Sequence, residues 1–556
     1  MSRLTTLLLS LLLLAGCSSS RAPLPAHAPL DLKIINGRVV DGTGSPWFRA
    51  DVGIRADTIV EIGDLSDVPA VRTLDARGMM VAPGFIDLLG QSQGMVLIDP
   101  HLEGKIRQGV TTEVTGEGWS PGPLAGDAER ERRSEGQPAW TTLGEYFAVL
   151  EKQGIATNFA LFVGATNARA LIVGNLDRAP SEEEMLRMEA LVDQAMREGA
   201  IGLSTSLIYV PATFAETDEL VRLARVAARH GGVYFTHIRD EGIEIMRALD
   251  EAFRIGREAE IPVNIWHLKV SGPGNHGRMP AVLEKIDEAR RNGIDVAANV
   301  YPYIASSTGL TMLVPTWALE GTYADFQARL KDPEQRARIR QEILSSGLPS
   351  RVTGADGVLV TRIPSDALAE YQRKNLQEIA TMMQLEPVDA LLRLYEESPS
   401  APGAVYFTMS EADVQTALRH PFVSIGADSG NVPESRRSAG AHPRAYGTFP
   451  RVIGHYGRDL GLFTIEEAVR RMTSQAASRA QLRDRGILRS GLKADIVVFD
   501  PETIIDRSRF EDPHHYSIGV QHVLVNGKPV LLDGEMTEAL PGRVLRGPGW
   551  SGQVPK

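Results

Sequence analysis

The feature that most constrains the fold is a regular alternation of short apolar runs with amphipathic, helix-like stretches in the middle of the chain. The apolar runs lie at residues 199–204, 233–235, 263–265 and 295–300, and the helix-like stretches lie at 219–230, 243–259 and 280–292. A strand that is regularly followed by a helix predicts a parallel sheet with the helices packed on its outside. Over this length of chain, the pattern predicts an α/β protein built on a (β/α)8 TIM barrel.

The two ends of the chain predict a second, smaller domain. Residues 32–74 alternate apolar and polar side chains, and the same alternation returns at 494–499 and 521–530. A period of two is typical of half-buried strands. We therefore expect residues 31–80 and 487–547 to pair into one β-sandwich. The barrel then occupies residues 81–486, with a charged, helix-rich insertion at about 316–404.

The N-terminus has the pattern of a bacterial secretion signal. A short apolar run ends in Leu14-Ala15-Gly16-Cys17, which resembles a lipobox, and the run is too short to span a bilayer as a mature helix. Cys17 is the only cysteine of the chain. We expect residues 1–16 to be a signal peptide, Cys17 to carry lipid and residues 17–30 to form a tether. Ser18, directly after Cys17, favours anchoring to the outer membrane, with the protein facing the periplasm.

Composition and charge exclude some partners. The chain is 43% hydrophobic and 23% charged, and its formal net charge is -11. A chain with this acidic balance is not expected to bind nucleic acid or to be attracted to anionic lipid. We therefore expect a globular protein that contacts a membrane through its lipid anchor alone. The sequence leaves the oligomeric state open.

Titratable side chains follow several of the predicted barrel strands. His237, His267, Glu117 and Asp428 each come shortly after an apolar run. The C-terminal ends of barrel strands face a common pocket, so these side chains should meet there. Two imidazoles and one carboxylate are enough to hold a catalytic zinc ion, and a second carboxylate can accept and return a proton. The pattern predicts a metal-dependent hydrolase with zinc held by Glu117, His237 and His267, and with Asp428 as the catalytic residue.

Long segments of the chain resemble the N-acyl-D-amino-acid deacylase (D-aminoacylase) branch of the amidohydrolase superfamily. They are GLSTSLIYVP at 202–211, THIRDEG at 236–242, GPGNHGR at 272–278, YPY at 301–303 and HPRAYGTFPR at 442–451. The resemblance runs from about residue 32 to 547. It implies a zinc hydrolase that cleaves the amide bond next to a carboxylate, in acylated D-amino acids or in short peptides containing D-residues.

The same resemblance implies roles for individual residues. The family's tight-site histidines fall on His237 and His267, and its catalytic aspartate falls on Asp428. The positions that contact the substrate carboxylate in the family fall on Lys269, Tyr301, Ser307 and Arg444.

The chain departs from the family at the first barrel strand. The family's His-x-His pair falls on Leu89 and Gln91, of which leucine cannot bind a metal and a neutral amide binds zinc poorly. The family's metal-binding cysteine falls on Gly118, beside Glu117, and a further histidine falls on Ala165. These departures predict one zinc ion per chain, with Glu117 in place of the cysteine.

Three alternatives stay open at this point. The first is a relative that kept the pocket as a ligand-binding site and lost turnover, which the loss of the His-x-His pair favours. The second is a serine hydrolase, because GQSQG at 90–94 matches a nucleophile elbow around Ser92. The third is a hydantoinase-like enzyme for other cyclic or linear amides, although Lys269 and Arg444 favour a free carboxylate on the substrate.

Overall fold

The computed structural model describes residues 29–125, 138–347, 352, 354–437 and 440–552. Cys17, the signal peptide and all but the end of the tether expected at 17–30 lie outside the described residues. Within the described part of the chain, no helix is both long enough and apolar enough to cross a membrane.

The strands follow one another along the chain in a continuous series. They are β1 (Leu30–Ile35), β2 (Arg38–Val39), β3 (Phe48–Arg49), β4 (Asp51–Arg55), β5 (Thr58–Gly63), β6 (Ala70–Asp75), β7 (Met80–Pro83), β8 (Phe85–Gly90), β9 (Val110–Thr115), β10 (Asn158–Leu161), β11 (Val163–Gly164), β12 (Gly202–Ser206), β13 (Val233–His237), β14 (Val263–Ile265), β15 (Val296–Val300), β16 (Ser306–Gly309), β17 (Val358–Arg362), β18 (Lys374–Asn375), β19 (Gly403–Tyr406), β20 (Val423–Ile425), β21 (Ile496–Phe499), β22 (Val520–Val525), β23 (Lys528–Leu532) and β24 (Glu535–Met536).

The α-helices lie mainly between the barrel strands and in the insertion. They are α1 (Glu103–Ile106), α2 (Leu143–Gln153), α3 (Ala165–Ile172), α4 (Glu182–Glu198), α5 (Thr217–Arg229), α6 (Ile245–Ala259), α7 (Met279–Arg291), α8 (Tyr323–Lys331), α9 (Pro333–Glu342), α10 (Leu376–Met383), α11 (Pro387–Glu396), α12 (Glu411–Arg419), α13 (Arg444–Arg451), α14 (Ile465–Met472) and α15 (Ser474–Arg479).

Parallel strands form the barrel that the sequence predicts. One run of the sheet has the order β8-β9-β10, and the other has the order β11-β12-β13-β14-β15-β20. Phe162 alone separates β10 from β11, so these two strands occupy one position of the barrel. The ring closes where Gly90 pairs with Ser429 in a parallel bridge and the Asp428 N–H donates to the Leu89 carbonyl at 2.9 Å. The predicted fold class, a (β/α)8 barrel with a β-sandwich, is confirmed.

The sandwich consists of two sheets. One has the order β5-β4-β1-β6, and the other has the order β24-β23-β22-β21-β7-β2-β3. The second sheet joins the chain ends directly, because β21 pairs antiparallel with β7 and places Val497 opposite Ala82. Buried side chains from both ends, among them Ile34, Val81 and Ile496, share one apolar core.

Residues 306–406 form a separate layer beside the C-terminal ends of the barrel strands. Helices α8 to α11 pack with an antiparallel sheet of order β16-β19-β17-β18, around a core that includes Leu310, Phe326 and Leu391. The layer is longer than the stretch 316–404 expected from the sequence, and it contains a sheet as well as helices. Its strands are short, and β16 begins with Ser306, Ser307 and Thr308, so no apolar alternation marks it in the sequence.

Aromatic packing inside the barrel fixes the strand ends that carry the polar residues. The rings of Phe162, Phe235 and Trp266 contact one another with centroids 4.8 to 5.6 Å apart. Trp266, directly before His267, also donates from its indole nitrogen to the Leu88 carbonyl at 3.0 Å. Leu89 is fully buried in the same apolar cluster. Leu89, at the position where the resemblance implies a histidine, therefore belongs to the core of the barrel.

Asp495 connects the sandwich to the barrel. Its carboxylate accepts from the Asn526 N–H at 2.6 Å in the sandwich and from the Asn158 side chain at 3.0 Å in β10. It also pairs with Arg485, and both side chains are at most 3% exposed. Removal of one member of a buried ion pair leaves the other charge without a partner, which costs more than the pair itself contributes.

We expect the change Asp495→Asn to lower the free energy of unfolding by about 3–5 kcal/mol, because it removes the buried partner of Arg485 and leaves only the exposed Asp484 to offset that buried charge. Chemical denaturation followed by circular dichroism measures the effect. The control is Asp484→Asn, which alters the exposed second partner of Arg485 and should cost less than about 1 kcal/mol. Equal losses in the two variants would contradict the assignment.

Candidate active site

Glu117, His237 and His267 meet at one carboxylate oxygen. Oε1 of Glu117 lies 2.9 Å from Nδ1 of His237 and 3.0 Å from Nε2 of His267. The three side chains come from the ends of β9, β13 and β14, and none is more than 10% exposed. Among the described residues they form a cluster whose candidate ligand atoms all lie within 4.8 Å of one another. Two imidazole nitrogens and a carboxylate oxygen form a donor set that fits a catalytic zinc ion.

The electrostatics of this cluster favour a positive charge at its centre. Burial acts to raise the pKa of Glu117, but hydrogen bonds from both imidazoles hold that pKa well below its ordinary value. Burial lowers the pKa of His237, and the neutral imidazole is the form that binds metal. Burial and Lys269 oppose a charge on His267, but Asp428, Glu117 and Glu241 raise its pKa to about 9. The carboxylates around the rings thus favour a positive charge at this place, which a divalent cation would supply on displacing the proton of His267.

Glu241 lies behind both histidines. Its Oε1 is 3.1 Å from Nδ1 of His267 and 3.6 Å from Nε2 of His237, the ring nitrogens that face away from Glu117. The same oxygen accepts a hydrogen bond from the Lys269 ammonium. A carboxylate in this position fixes the tautomer of a ligating histidine and increases its basicity. The sequence analysis assigns Glu241 no role, because this residue lies in the loop after β13, where spacing along the chain does not predict which side chains meet.

Asp428 lies on the opposite side of the cluster, after β20. Its Oδ2 is 2.7 Å from Nη1 of Arg444, and its Oδ1 accepts a hydrogen bond from the Gln91 amide at 2.9 Å. Burial raises the pKa of Asp428, and the opposing charges of Arg444 and His267 limit the rise. A carboxylate whose pKa is raised in this way is suited to accept and return a proton.

Gln91 occupies the place between the two carboxylates. Its Nε2 donates to Oε2 of Glu117 at 2.8 Å and to Oδ1 of Asp428 at 2.9 Å. In a binuclear site a second cation can bridge such carboxylates; here two amide N–H groups satisfy them. Leu89 on the same strand and Ala165 at the start of α3 are both buried and offer no ligand atom.

Gly118 explains why the carboxylate comes from Glu117 rather than from the next position. Gly118 has a φ of +65°, and a Cβ added to it would lie 2.6 Å from Cβ of Ser206. A cysteine at this position would therefore require the backbone to move. Glu117, one residue earlier, reaches the two histidines with its longer side chain.

The four residues expected to contact a carboxylate lie next to the cluster. Nζ of Lys269 is 5.8 Å and Cζ of Arg444 is 4.7 Å from the centre of the Tyr301 ring. Arg444 donates to the Ser307 carbonyl at 3.2 Å. The Tyr301 hydroxyl and Nε of Arg444 are buried and have no hydrogen-bond partner.

A cavity of about 300 Å³ joins the cluster to Asp428, Lys269 and Ser307, whereas Tyr301 and Arg444 are not among its lining residues. Glu117, His237 and Asp428 form one wall, and Met312 and Tyr406 of the 306–406 layer contribute to the other. The volume is at the lower end of the range for small-molecule sites. The cavity therefore fits a compact ligand.

Ser92 does not have the surroundings of a nucleophile. It is fully buried, its hydroxyl donates to Glu113 at 2.8 Å, and it accepts from the Asn431 N–H at 2.9 Å. Neither hydrogen bond involves a histidine that could take its proton, and Ser92 does not line the cavity. The serine hydrolase alternative is wrong for this reason.

Comparison with known proteins connects this geometry to characterised relatives. The chain matches the Amidohydrolase family over residues 72–531. It is 38% identical over 522 residues to the D-aminoacylase of Alcaligenes xylosoxydans xylosoxydans, which covers 93% of this chain and 98% of that protein. It is also 38% identical over 521 residues to the N-acyl-D-glutamate deacylase of the same organism, covering 93% and 96% of the two chains.

Solved structures give the same result. An N-acyl-D-glutamate deacylase from Bordetella bronchiseptica, complexed with zinc and a phosphonate mimic of the tetrahedral intermediate, aligns with a TM-score of 0.79. That structure is 35% identical and covers 93% of this chain and all of its own. A D-aminoacylase, described by its binuclear metal centre with one-metal activation and second-metal attenuation, aligns equally well at 37% identity and the same coverage.

We expect the change Glu241→Gln to weaken zinc binding about 10- to 100-fold, because His267 loses the carboxylate that lies 3.1 Å from its Nδ1 and both rings lose a nearby negative charge. Competition with a zinc chelator measures the affinity. Asp240→Asn is the control, since the Asp240 carboxylate caps the backbone N–H groups of Gly242 and Glu244 and does not contact the histidines. Unchanged affinity in Glu241→Gln would show that Glu241 does not support the site.

Proposed function

Because this chain belongs to the amidohydrolase family and is similar to its D-aminoacylases, we propose that it hydrolyses the amide bond of N-acyl-D-amino acids or of short D-residue peptides. The observation that carries the proposal is one cavity that joins three candidate zinc ligands, the carboxylate of Asp428 and the ammonium of Lys269. Arg444 pairs with Asp428 at this cavity. The relatives named above supply the substrate class, and the charge pattern of the cavity agrees with it.

Zinc is the metal we propose, held by Glu117, His237 and His267. When bound, zinc would supply a Lewis acid that polarises the scissile carbonyl and makes a water molecule more acidic. We propose one ion per chain. The support is that Gln91 already satisfies Glu117 and Asp428 with neutral hydrogen bonds, and that Leu89 offers no ligand atom.

Asp428 accepts the proton of the attacking water and then donates it to the leaving amine nitrogen. Its position beside the zinc ligands and its raised pKa suit both steps. In the present arrangement Arg444 pairs with Asp428 at 2.7 Å. A substrate carboxylate that draws Arg444 away would leave Asp428 a stronger base at the moment when substrate is bound.

Arg444 and Lys269 bind the substrate carboxylate from two sides. The planar guanidinium of arginine matches a carboxylate with two parallel donors, and the free hydroxyl of Tyr301 offers a third. The acyl group then points toward the zinc ligands. The cations therefore favour an amide whose nitrogen side carries a free acid over a neutral cyclic amide.

A second candidate function is ligand binding without turnover. The observation in its favour is the replacement of the family's His-x-His pair by Leu89 and Gln91. Zinc-loaded protein incubated with a panel of N-acetyl-D-amino acids, with release of the free amino acid as the readout, separates the two. Saturable binding without release would support the second function.

We expect purified protein to contain one zinc ion per chain. His237→Ala and His267→Ala should each lose the ion, because two ligands do not hold catalytic zinc firmly. Asp428→Asn should keep the ion and lose turnover, since Asp428 moves the proton. Inductively coupled plasma mass spectrometry measures the content, with His230→Ala as the control because His230 pairs with Asp193 away from the cavity. Two ions per chain would contradict the proposal.

We expect Arg444→Met to raise the Michaelis constant about 10- to 100-fold, because the substrate carboxylate loses one charge-assisted hydrogen bond. Such a bond contributes ~1.5–3 kcal/mol to binding. Initial rates on an N-acetyl-D-amino acid measure the effect. The matched test uses the amidated form of the same substrate. The protein without the substitution should hydrolyse this amide much more slowly than the free acid. Equal rates on the acid and the amide would refute carboxylate recognition.

We also propose that the protein is a lipoprotein of the bacterial cell envelope, anchored to the outer membrane through Cys17. The support is the sequence Leu14-Ala15-Gly16-Cys17 and the absence of any other cysteine. One acyl chain binds a membrane only weakly, so stable anchoring requires more than one.

Changing Cys17 to Ala should therefore move the protein from the membrane fraction to the soluble fraction. Immunoblotting of fractionated cells measures the change, and Ser18→Ala is the control that should stay in the membrane. Mass spectrometry that finds an unmodified N-terminus beyond Cys17 would disprove the anchor.

A further inference from the structure

We propose that Lys105 is a positioning residue for Asp428, acting through the backbone of residues 427–431, which we call the Asp428 loop. The inference rests on the proposed function, because Lys105 would support the proposed proton transfer by Asp428. Lys105 itself would contact neither substrate nor zinc. The structural basis is a cluster of buried polar side chains, Asp87, Lys105, Glu113 and Ser92, at the seam where the barrel closes.

Lys105 and Asp87 hold the first part of the loop. Nζ of Lys105 lies 2.7 Å from Oδ2 of Asp87 and donates to the Ser429 carbonyl. Oδ1 of Asp87 accepts from the Ala427 N–H at 2.8 Å. One ion pair therefore bonds to the backbone on both sides of Asp428.

Glu113 and Ser92 hold the end of the loop. Glu113 lies 3.7 Å from Nζ of Lys105 and accepts from the Ser92 hydroxyl at 2.8 Å. The Ser92 hydroxyl in turn accepts from the Asn431 N–H at 2.9 Å. The cluster thus contacts the Asp428 loop at three alternate residues.

The conformation of Asp428 explains why such support is needed. Asp428 has a φ of +52°, a left-handed backbone that residues other than glycine rarely adopt. The direction of its side chain toward Gln91 and Arg444 depends on that backbone. Strained residues at active sites persist only when their surroundings hold them in place.

A purely structural role explains the cluster less well. The side chains of Lys105, Asp87 and Glu113 are fully buried, and a buried ion cluster is often no more stable than apolar side chains of the same volume. Burial raises the pKa of Glu113 to about 7. A proton on Glu113 leaves Lys105 and Asp87 as the charged pair, and Glu113→Gln imitates that form.

The test compares Lys105→Met with Arg169→Met in zinc-loaded, full-length protein. Arg169 forms an equally buried pair with Glu219, and none of its partners lines the cavity. Hydrogen–deuterium exchange reports on the Asp428 loop without any need for turnover. Steady-state kinetics on an N-acetyl-D-amino acid that the unmodified protein cleaves give kcat and KM.

We expect Lys105→Met to speed exchange of the Ala427 and Asp428 amides at least tenfold. It should lower kcat at least tenfold, with KM within threefold and zinc content unchanged. Glu113→Gln should keep most of kcat, and Arg169→Met should lower thermal stability without changing the loop. If Lys105→Met does not fold, Ser92→Ala removes one contact and should speed exchange at Asn431 and lower kcat several-fold.

The inference would be overturned if Lys105→Met did not change the hydrogen–deuterium exchange of the Asp428 loop. The same holds for Ser92→Ala if that variant has to replace Lys105→Met. Equal effects of Lys105→Met and Arg169→Met on the loop and on kcat would also overturn the inference. An unmodified protein that holds zinc and cleaves nothing refutes the proposed function instead, and the exchange data then still decide whether Lys105 holds the loop.

Discussion

The site depends on the buried carboxylate of Glu117. One of its oxygens is shared by His237 and His267, and the other accepts from Gln91, which also binds Asp428. The candidate metal ligands and Asp428, the residue proposed to transfer the proton, are therefore linked through Glu117 and Gln91. A carboxylate buried to this degree is stable only with such partners, so the five residues define one another's positions.

The Glu117 carboxylate connects the three departures from the family pattern that the resemblance implies, at Gly118, Gln91 and Leu89. Gly118 has no space for a side chain, so the anionic ligand comes from Glu117. Gln91 then satisfies the second oxygen of Glu117 with a neutral donor. Leu89 needs no polar partner and joins the core of the barrel. In the proposed one-metal site, Glu117 supplies the anionic ligand and Gln91 takes the place of a second ion.

The barrel and the strand-end residues could be predicted from the sequence, because both follow from local periodicity. Each polar residue that follows a barrel strand faces the same pocket, whatever its distance along the chain. The bridge from Gln91 to Asp428 could not be predicted, since these residues are 337 positions apart and only the closed ring brings them together. The short, polar strand β16 and the support from Glu241 and Lys105 also lack a periodic signal.

The central claim is that one zinc ion binds at Glu117 and that Gln91 replaces a second. Zinc K-edge X-ray absorption of the purified, zinc-saturated protein tests it most directly. The account predicts a first shell of two imidazole nitrogens and oxygen atoms, without scattering from a second metal at the ~3.5–4 Å spacing of two-metal sites. Scattering from a second zinc at that spacing would contradict it.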